Sequence, residues 1–188
     1  MTTKTVRRQE NLRYKDKPTE PALRVEDSRP AHLSAVPGTM RPVSVAIGEG
    51  LGASSGDFAV FRDMSVADRA QEIRAGFWSE ILPRIGEELL GIPLQSLLTG
   101  LRLPASTIKR KLAEGERLSA SESDRVARTL MMYFHSEDVF EDAGSAGKWL
   151  VRAHVELGGE RPLDMLDTQA GYDRVRDLLL RIEYGIGV

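Results

Sequence analysis

GIPLQSLLTGLRLPASTIKRK, residues 91–111, holds the pattern that decides the fold. Leu97, Leu98 and Leu101 fall on one face of a short helix, Leu103 follows a break, and Pro104 stands where a second helix begins. Ile108 and Leu112 point inward from that second helix. Two short helices joined by a tight turn give the outline of a helix-turn-helix. Its second helix would present Ser106, Thr107, Lys109, Arg110 and Lys111, donors suited to phosphates and base edges. The same pattern fits an ordinary helical hairpin whose Lys-Arg-Lys run is a solvated face. Arg102 stands where such a turn often has a glycine in the left-handed conformation, which predicts an altered turn.

Toward the C-terminus the helical periodicity continues. Ser119 and Glu122 have the spacing of a capping box and open a helix carrying Val126, Leu130, Tyr133 and Phe134. From about Ser145, a third helix places Ala146, Trp149, Leu150, Ala153 and Leu157 on one face, and Gly158 and Gly159 are suited to stop it. After Pro162, Asp167 or Thr168 caps the last helix, whose stripe is Tyr172, Val175, Leu179 and Ile182. The chain then ends in LLLRIEYGIGV, residues 178–188, an apolar tail that asks for cover from this protein's own core, a dimer mate or another partner. Gly185 and Gly187 would let Tyr184, Ile186 and Val188 bend into a cleft.

Toward the N-terminus, Ser65 and Asp68 cap a helix with the stripe Val66, Ala70, Ile73, Phe77 and Ile81, ending at Pro83. No strand pattern competes after residue 62, so this part is all-α. Before it, Val43, Val45 and Ile47 alternate as in a short extended segment, followed by a glycine-rich loop. That loop lacks the Gly-Lys-Ser/Thr ending of a phosphate-binding loop, and Ala53 breaks the dinucleotide spacing begun by Gly48, Gly50 and Gly52. Residues 1–42 hold five of the nine prolines and an excess of basic side chains without apolar periodicity, the pattern of an extended arm. The expected organisation is an arm with glycine-rich segment (1–62), a helical, helix-turn-helix-like domain (63–118) and a C-terminal helical domain (119–188).

Composition narrows the chemistry. A net charge of −2 with 29% charged residues advertises neither nucleic acid nor membrane, so any basic surface is local. The absence of cysteine removes disulfides, thiolate nucleophiles and the common structural zinc sites. No signal-peptide core or membrane-length apolar run is visible, which makes the cytoplasm the expected compartment. His32, His135 and His154 show no metal-ligand spacing, although His135 and His154 are free to meet in space. Glu137, Asp138, Glu141 and Asp142 lack the alternation and central glycine of a calcium loop. No nucleophile elbow is present, so neither catalysis, nor a metal, nor a cofactor is expected.

The order of a helix-turn-helix-like segment followed by LSASESDRVART, AGKWL and LGGERPLDMLDTQAGYDRVRDLLLRIEYG resembles the Xre/MbcA/ParS-type antitoxins, the ParS branch in particular, over roughly residues 85–188. The resemblance implies a cognate toxin of the RES-domain kind, an NAD-consuming or ADP-ribosylating protein, whose NAD cleft the C-terminal domain would occlude. It also implies a homodimer and repression of its own operon through operator DNA. Arg181, Tyr184, Gly185, Ile186 and Val188 become the candidate toxin contacts, and Gly50, Leu51 and Gly52 a second candidate insert. The rival reading is a DNA-binding transcriptional regulator with no toxin partner.

Overall fold

The computed structural model describes Leu51 and residues 57–186. The arm, the segment around Val43 to Ile47, and residues His32, Gly50, Gly52 and Val188 lie outside them.

Helix α1 (Asp57–Asp63) comes earlier than the periodicity suggests, because seven residues offer a single apolar pair, Phe58 and Phe61. Phe61 is fully buried and meets the edge of Phe77 at 5.9 Å between ring centroids. The Arg69 guanidinium lies 4.9 Å over the Phe61 ring and donates to the carbonyls of Phe61, Arg62 and Met64 at 3.2–3.3 Å. One side chain thereby satisfies carbonyls that the end of α1 leaves open.

Helix α2 (Val66–Ala75) starts at Ser65, whose hydroxyl accepts the Asp68 N–H at 3.2 Å. The single stripe expected to run to Pro83 is broken at Gly76, whose φ is +88°. Beyond it, the Phe77 N–H donates to Ser123 Oγ at 3.0 Å and the Phe77 carbonyl accepts from Leu118 at 2.8 Å. A Cβ on Gly76 would lie 2.2 Å from the Leu118 oxygen, so close approach as well as backbone conformation ends the helix there. Val66, at the opposite end of α2, is 83% exposed and is not a core residue. Pro83 sits inside the short helix α3 (Ile81–Arg84), in the first turn where its missing N–H is no loss.

α3 runs into a π-helical turn, Ile85–Leu90, and Gly91 ends it. Then come α4 (Leu94–Gly100) and α5 (Ala105–Glu114), the two helices of the helix-turn-helix outline. The long helix α6 (Ala120–Phe140) opens with the expected capping box, Ser119 and Glu122 each satisfying the other's backbone. Its 21 residues span about 30 Å at 1.5 Å per residue. Val126, Ala127, Leu130, Met132 and Tyr133 carry its buried side, packed against α1, α2, α9 and the following helix. Two buried hydroxyls on it are satisfied locally, Thr129 on the Arg125 carbonyl at 3.0 Å and Ser136 on the Met132 carbonyl at 2.8 Å.

Helix α7 (Ala143–Val151), capped by Asp142, ends well before Gly158. Arg152 is extended, Ala153 is exposed, and Leu157 returns to the core only through a separate 3₁₀ turn, Val155–Leu157. The apolar spacing that suggested one helix is shared between two elements. α8 (Pro162–Met165) and α9 (Gln169–Glu183) complete the order, with Thr168 Oγ1 accepting the Gly171 N–H at 3.1 Å as the α9 cap. The fold is all-α, and among the described residues the one extended pairing is an isolated bridge between Trp78 and Arg117. No described helix is long and apolar enough to cross a membrane.

Candidate functional site

Two surfaces bring sequence-selected residues together. The first is the turn between α4 and α5. Leu97, Leu98, Leu101 and Ile108 are fully buried and Leu103 nearly so, so the outline is held by a real core. Arg102 does adopt the left-handed conformation, at φ +50°. The Arg102 N–H reaches the Thr99 carbonyl at 3.1 Å and the Leu103 N–H reaches Leu98 at 2.8 Å, the paired bonds of a Schellman closure with arginine in the glycine position. The cost of that backbone, of order 1–2 kcal/mol, is met by tertiary contacts. Arg125 Nη1 donates to the carbonyls of Leu101 at 3.3 Å and Arg102 at 2.9 Å. Arg102 Nε stands 3.1 Å from Asp167 Oδ2, a carboxylate just ahead of α9. Sequence spacing flagged Arg102 but contained no sign of Arg125 or Asp167 as its partners.

The five donors expected on α5 do not share one fate. Ser106, Lys109 and Arg110 are exposed, and Thr107 is half-buried. Arg110 is engaged by Glu114 and, at 3.0 Å, by Glu116. Hydrogen bonding to Glu116 leads the effects that raise the Arg110 pKa above its ordinary value, and the same bond from Arg110 leads in lowering that of Glu116. Lys111 faces inward, with Nζ 2.6 Å from Glu122 Oε2 and both side chains 12% exposed. Burial tends to raise the Glu122 pKa, but bonds from Lys111 and Ser119 outweigh it and hold the carboxyl below the usual value. Lys111 is therefore a structural cation, unlike the phosphate donor its position in the basic run suggests.

The second surface is the end of α9. The Gly185 N–H reaches Ile182 at 3.1 Å and the Ile186 N–H reaches Arg181 at 2.9 Å, a second Schellman closure, with Gly185 at φ +61°. No atom lies within 4 Å of a Cβ built on Gly185, so the backbone conformation alone calls for glycine. Leu179 is fully buried and Ile182 half-buried, whereas Tyr184 and Ile186 are 69% and 57% exposed. Arg181 is exposed beside them. The tail thus leaves the helix as a fixed turn carrying two large apolar side chains in water. Leu51, grouped in the sequence with a possible insert, is 4% exposed: its side chain lies in this chain's own core and its carbonyl accepts the Trp78 N–H at 2.8 Å. It cannot serve as an exposed anchor in that position.

His135 and His154 do not form a site together. His135 Nε2 is 3.5 Å from Glu183, while His154 Nε2 lies 3.0 Å from the Trp149 carbonyl and its ring lies tilted against Trp149, 5.1 Å between centroids. A shallow groove of about 290 Å³ adjoins His135 between α1, α2, α6 and α9; of its two arginines, Arg62 is paired to Glu137 and Asp138 and Arg69 donates to the carbonyls at the end of α1. Among the described residues no three metal-ligating side chains converge.

Residues 68–130 match the model of the antitoxin Xre-like helix-turn-helix domain, and residues 135–185 that of the antitoxin Xre/MbcA/ParS C-terminal toxin-binding domain. The chain thus carries an antitoxin Xre-like helix-turn-helix domain followed by an Xre/MbcA/ParS C-terminal toxin-binding domain. Among its relatives, Antitoxin Xre of Pseudomonas putida is 35% identical over 86 residues, 46% of this chain and 54% of the relative. The match therefore spans about half the length of that relative. Antitoxin Xre of Yersinia enterocolitica is 29% identical over 115 residues, 61% of this chain and 77% of that protein. The Prs ADP-ribosylating antitoxin of a Sphingobium species is 28% identical over 130 residues, 64% of this chain and 81% of the relative. In Xre/MbcA/ParS terms, the turn at Arg102 falls in the first domain, whereas α7, the 3₁₀ turn, α8 and α9 fall in the second.

Proposed function

We propose that this protein is an antitoxin that binds a cognate RES-domain toxin, one that degrades NAD or transfers its ADP-ribose, and occludes the toxin's NAD cleft. The observation that carries this reading is the α9 terminus: a toxin-binding domain ends in a rigid turn that leaves Tyr184 and Ile186 exposed. Exposed aromatic and branched apolar side chains on a fixed backbone are the anchors an interface of about 800 Å² per partner needs. Arg181, Gly185 and Val188 belong to the same proposed contact. The name of the Sphingobium relative supports an ADP-ribosylating partner. Neutralisation by occlusion needs no catalytic group, cofactor or metal from the antitoxin. It would take place in the cytoplasm. Coexpression with the product of the adjacent open reading frame, expected to be a RES-domain protein, tests the reading by growth rescue and co-purification. Tyr184→Ala combined with Ile186→Ala should abolish both, and full neutralisation by that variant would refute the anchor.

The helix-turn-helix supports a second activity, repression of the antitoxin's own operon as a homodimer, with Ser106, Thr107, Lys109 and Arg110 against DNA. Because Arg110 is held by two carboxylates, Lys109 should carry most of the salt dependence. Lys109→Ala should weaken operator binding and lower the slope of log K against log salt by about 1. An unchanged slope would remove Lys109 from the phosphate contacts. If operator binding persists and no toxin is found, the protein is a transcriptional regulator without a toxin.

A further inference from the structure

Val155 is 88% exposed, more than any other large hydrophobic side chain among the described residues. It is not on a frayed segment. The His154 N–H donates to Glu160 at 3.1 Å, Gly158 to Val155 at 2.8 Å and Gly159 to His154 at 2.9 Å, which closes residues 154–160 on themselves. The closure is anchored at its first residue and in its middle. The His154 ring packs at a tilt against Trp149 and bonds its carbonyl, Leu157 is 2% exposed, and Arg174 of α9 donates to the Glu156 carbonyl at 3.3 Å. Gly158 and Gly159 both have positive φ with no neighbour near a Cβ, so the turn depends on their backbone freedom.

A structure this well fastened has its ordering entropy already met, the condition under which an exposed side chain contributes most to association. Nothing in the chain's own packing uses the valine it projects. The loop lies within residues 135–185, the toxin-binding domain, and is tied to α9 through Arg174, ten residues ahead of Tyr184. That separation is roughly 15 Å along a helix, well inside the footprint of one interface.

We infer that Val155 is a second anchor for the same toxin, seated in a shallow apolar socket on its surface while the Tyr184–Ile186 turn occupies the cleft. This rests on the antitoxin reading above. The partner's socket is small, because the projecting group is one branched side chain flanked by exposed Glu156 and Gly158.

The test measures the binding of the 188-residue chain to the product of the adjacent open reading frame, expected to be a RES-domain protein, using an inactive form of it and titration calorimetry. Val155→Asp should weaken binding at least tenfold, the loss expected when the burial of one valine is replaced by a charge to be desolvated, whereas Val155→Leu should retain it. Because the side chain is almost fully exposed, the thermal midpoint of either variant alone should match the parent. Tyr184→Ala with Ile186→Ala serves as the reference for the cleft contact. Undiminished binding by Val155→Asp, with the reference variant weakened, overturns the second anchor and leaves the antitoxin reading standing. No binding by the parent chain overturns both.

Discussion

Arginine at φ +50° in a helix-terminating turn is one of two left-handed non-glycine positions among the described residues, with Glu141 at φ +53°, and its cost is measurable. Arg102→Ala and Arg102→Gly both remove the ion pair to Asp167, so that loss cancels between them. The pair itself is worth little, roughly 0–1 kcal/mol, because the arginine side chain is 73% exposed. What remains between the two variants is the left-handed conformation. Alanine keeps the clash of its Cβ with the following carbonyl, about 1–2 kcal/mol, and glycine relieves it. Glycine in turn gives back about 0.4–1 kcal/mol through the greater freedom of the unfolded chain. The glycine variant should therefore be the more stable of the two by about 0.8 kcal/mol, the middle of these ranges, or roughly 2–3 °C in midpoint for a chain of this size. Urea and thermal unfolding followed by circular dichroism at several protein concentrations read this difference directly. An alanine variant as stable as the glycine variant would show that the turn relaxes out of the left-handed region, and the account of Arg125 as its backbone clamp would fail.

Two further outcomes follow from the same turns and pairs. Gly185→Ala should cost about 1 kcal/mol, since only the backbone angle and no neighbouring atom demands glycine there, and it should reduce toxin binding as well as the unfolding midpoint; unchanged stability would mean that the tail is not held in this turn. Glu122, held below the ordinary carboxyl value, contributes stability that is complete above the unfolded value near 4.5 and is lost as pH falls through its lower folded value. Glu122→Gln should flatten that part of the pH–stability curve below 4.5, and an identical slope in both proteins would show that the Lys111 pair does not bind the native state together.

Element type was legible where a period had room to repeat. α6 and α9, with 21 and 15 residues and polar caps at Ser119 and Thr168, follow directly from spacing. Breaks were less legible, because an apolar stripe can continue across two elements. Phe77 and Ile81 keep the phase of α2 after Gly76 has turned the chain, and Leu157 keeps that of α7 after Arg152 has left the helix. In the basic run 109–111, sequence supplied the charges but not their partners: Glu114, Glu116 and Glu122 lie four to eleven residues away, and only the packing of α5 against the start of α6 shows which cation remains on the surface.

The two candidate surfaces end in the same backbone device, and the difference between them explains which was readable. At Gly185 the sequence states the conformation outright, since glycine after a helix is the common closure. At Arg102 the identical hydrogen-bond pattern is formed by a residue that disfavours it, and the stabilising groups come from elsewhere: Arg125 on α6 and Asp167 before α9. A local rule fails there because a tertiary contact overrides it. The override also joins the helix-turn-helix to the segment that starts the last helix, for Arg128 donates to the Leu166 carbonyl at 3.1 Å beside the Arg102–Asp167 pair. A glycine in the turn would free the backbone and lose the Arg102–Asp167 tie between the helix-turn-helix and the C-terminal domain. Arginine accepts the strained angle and keeps it.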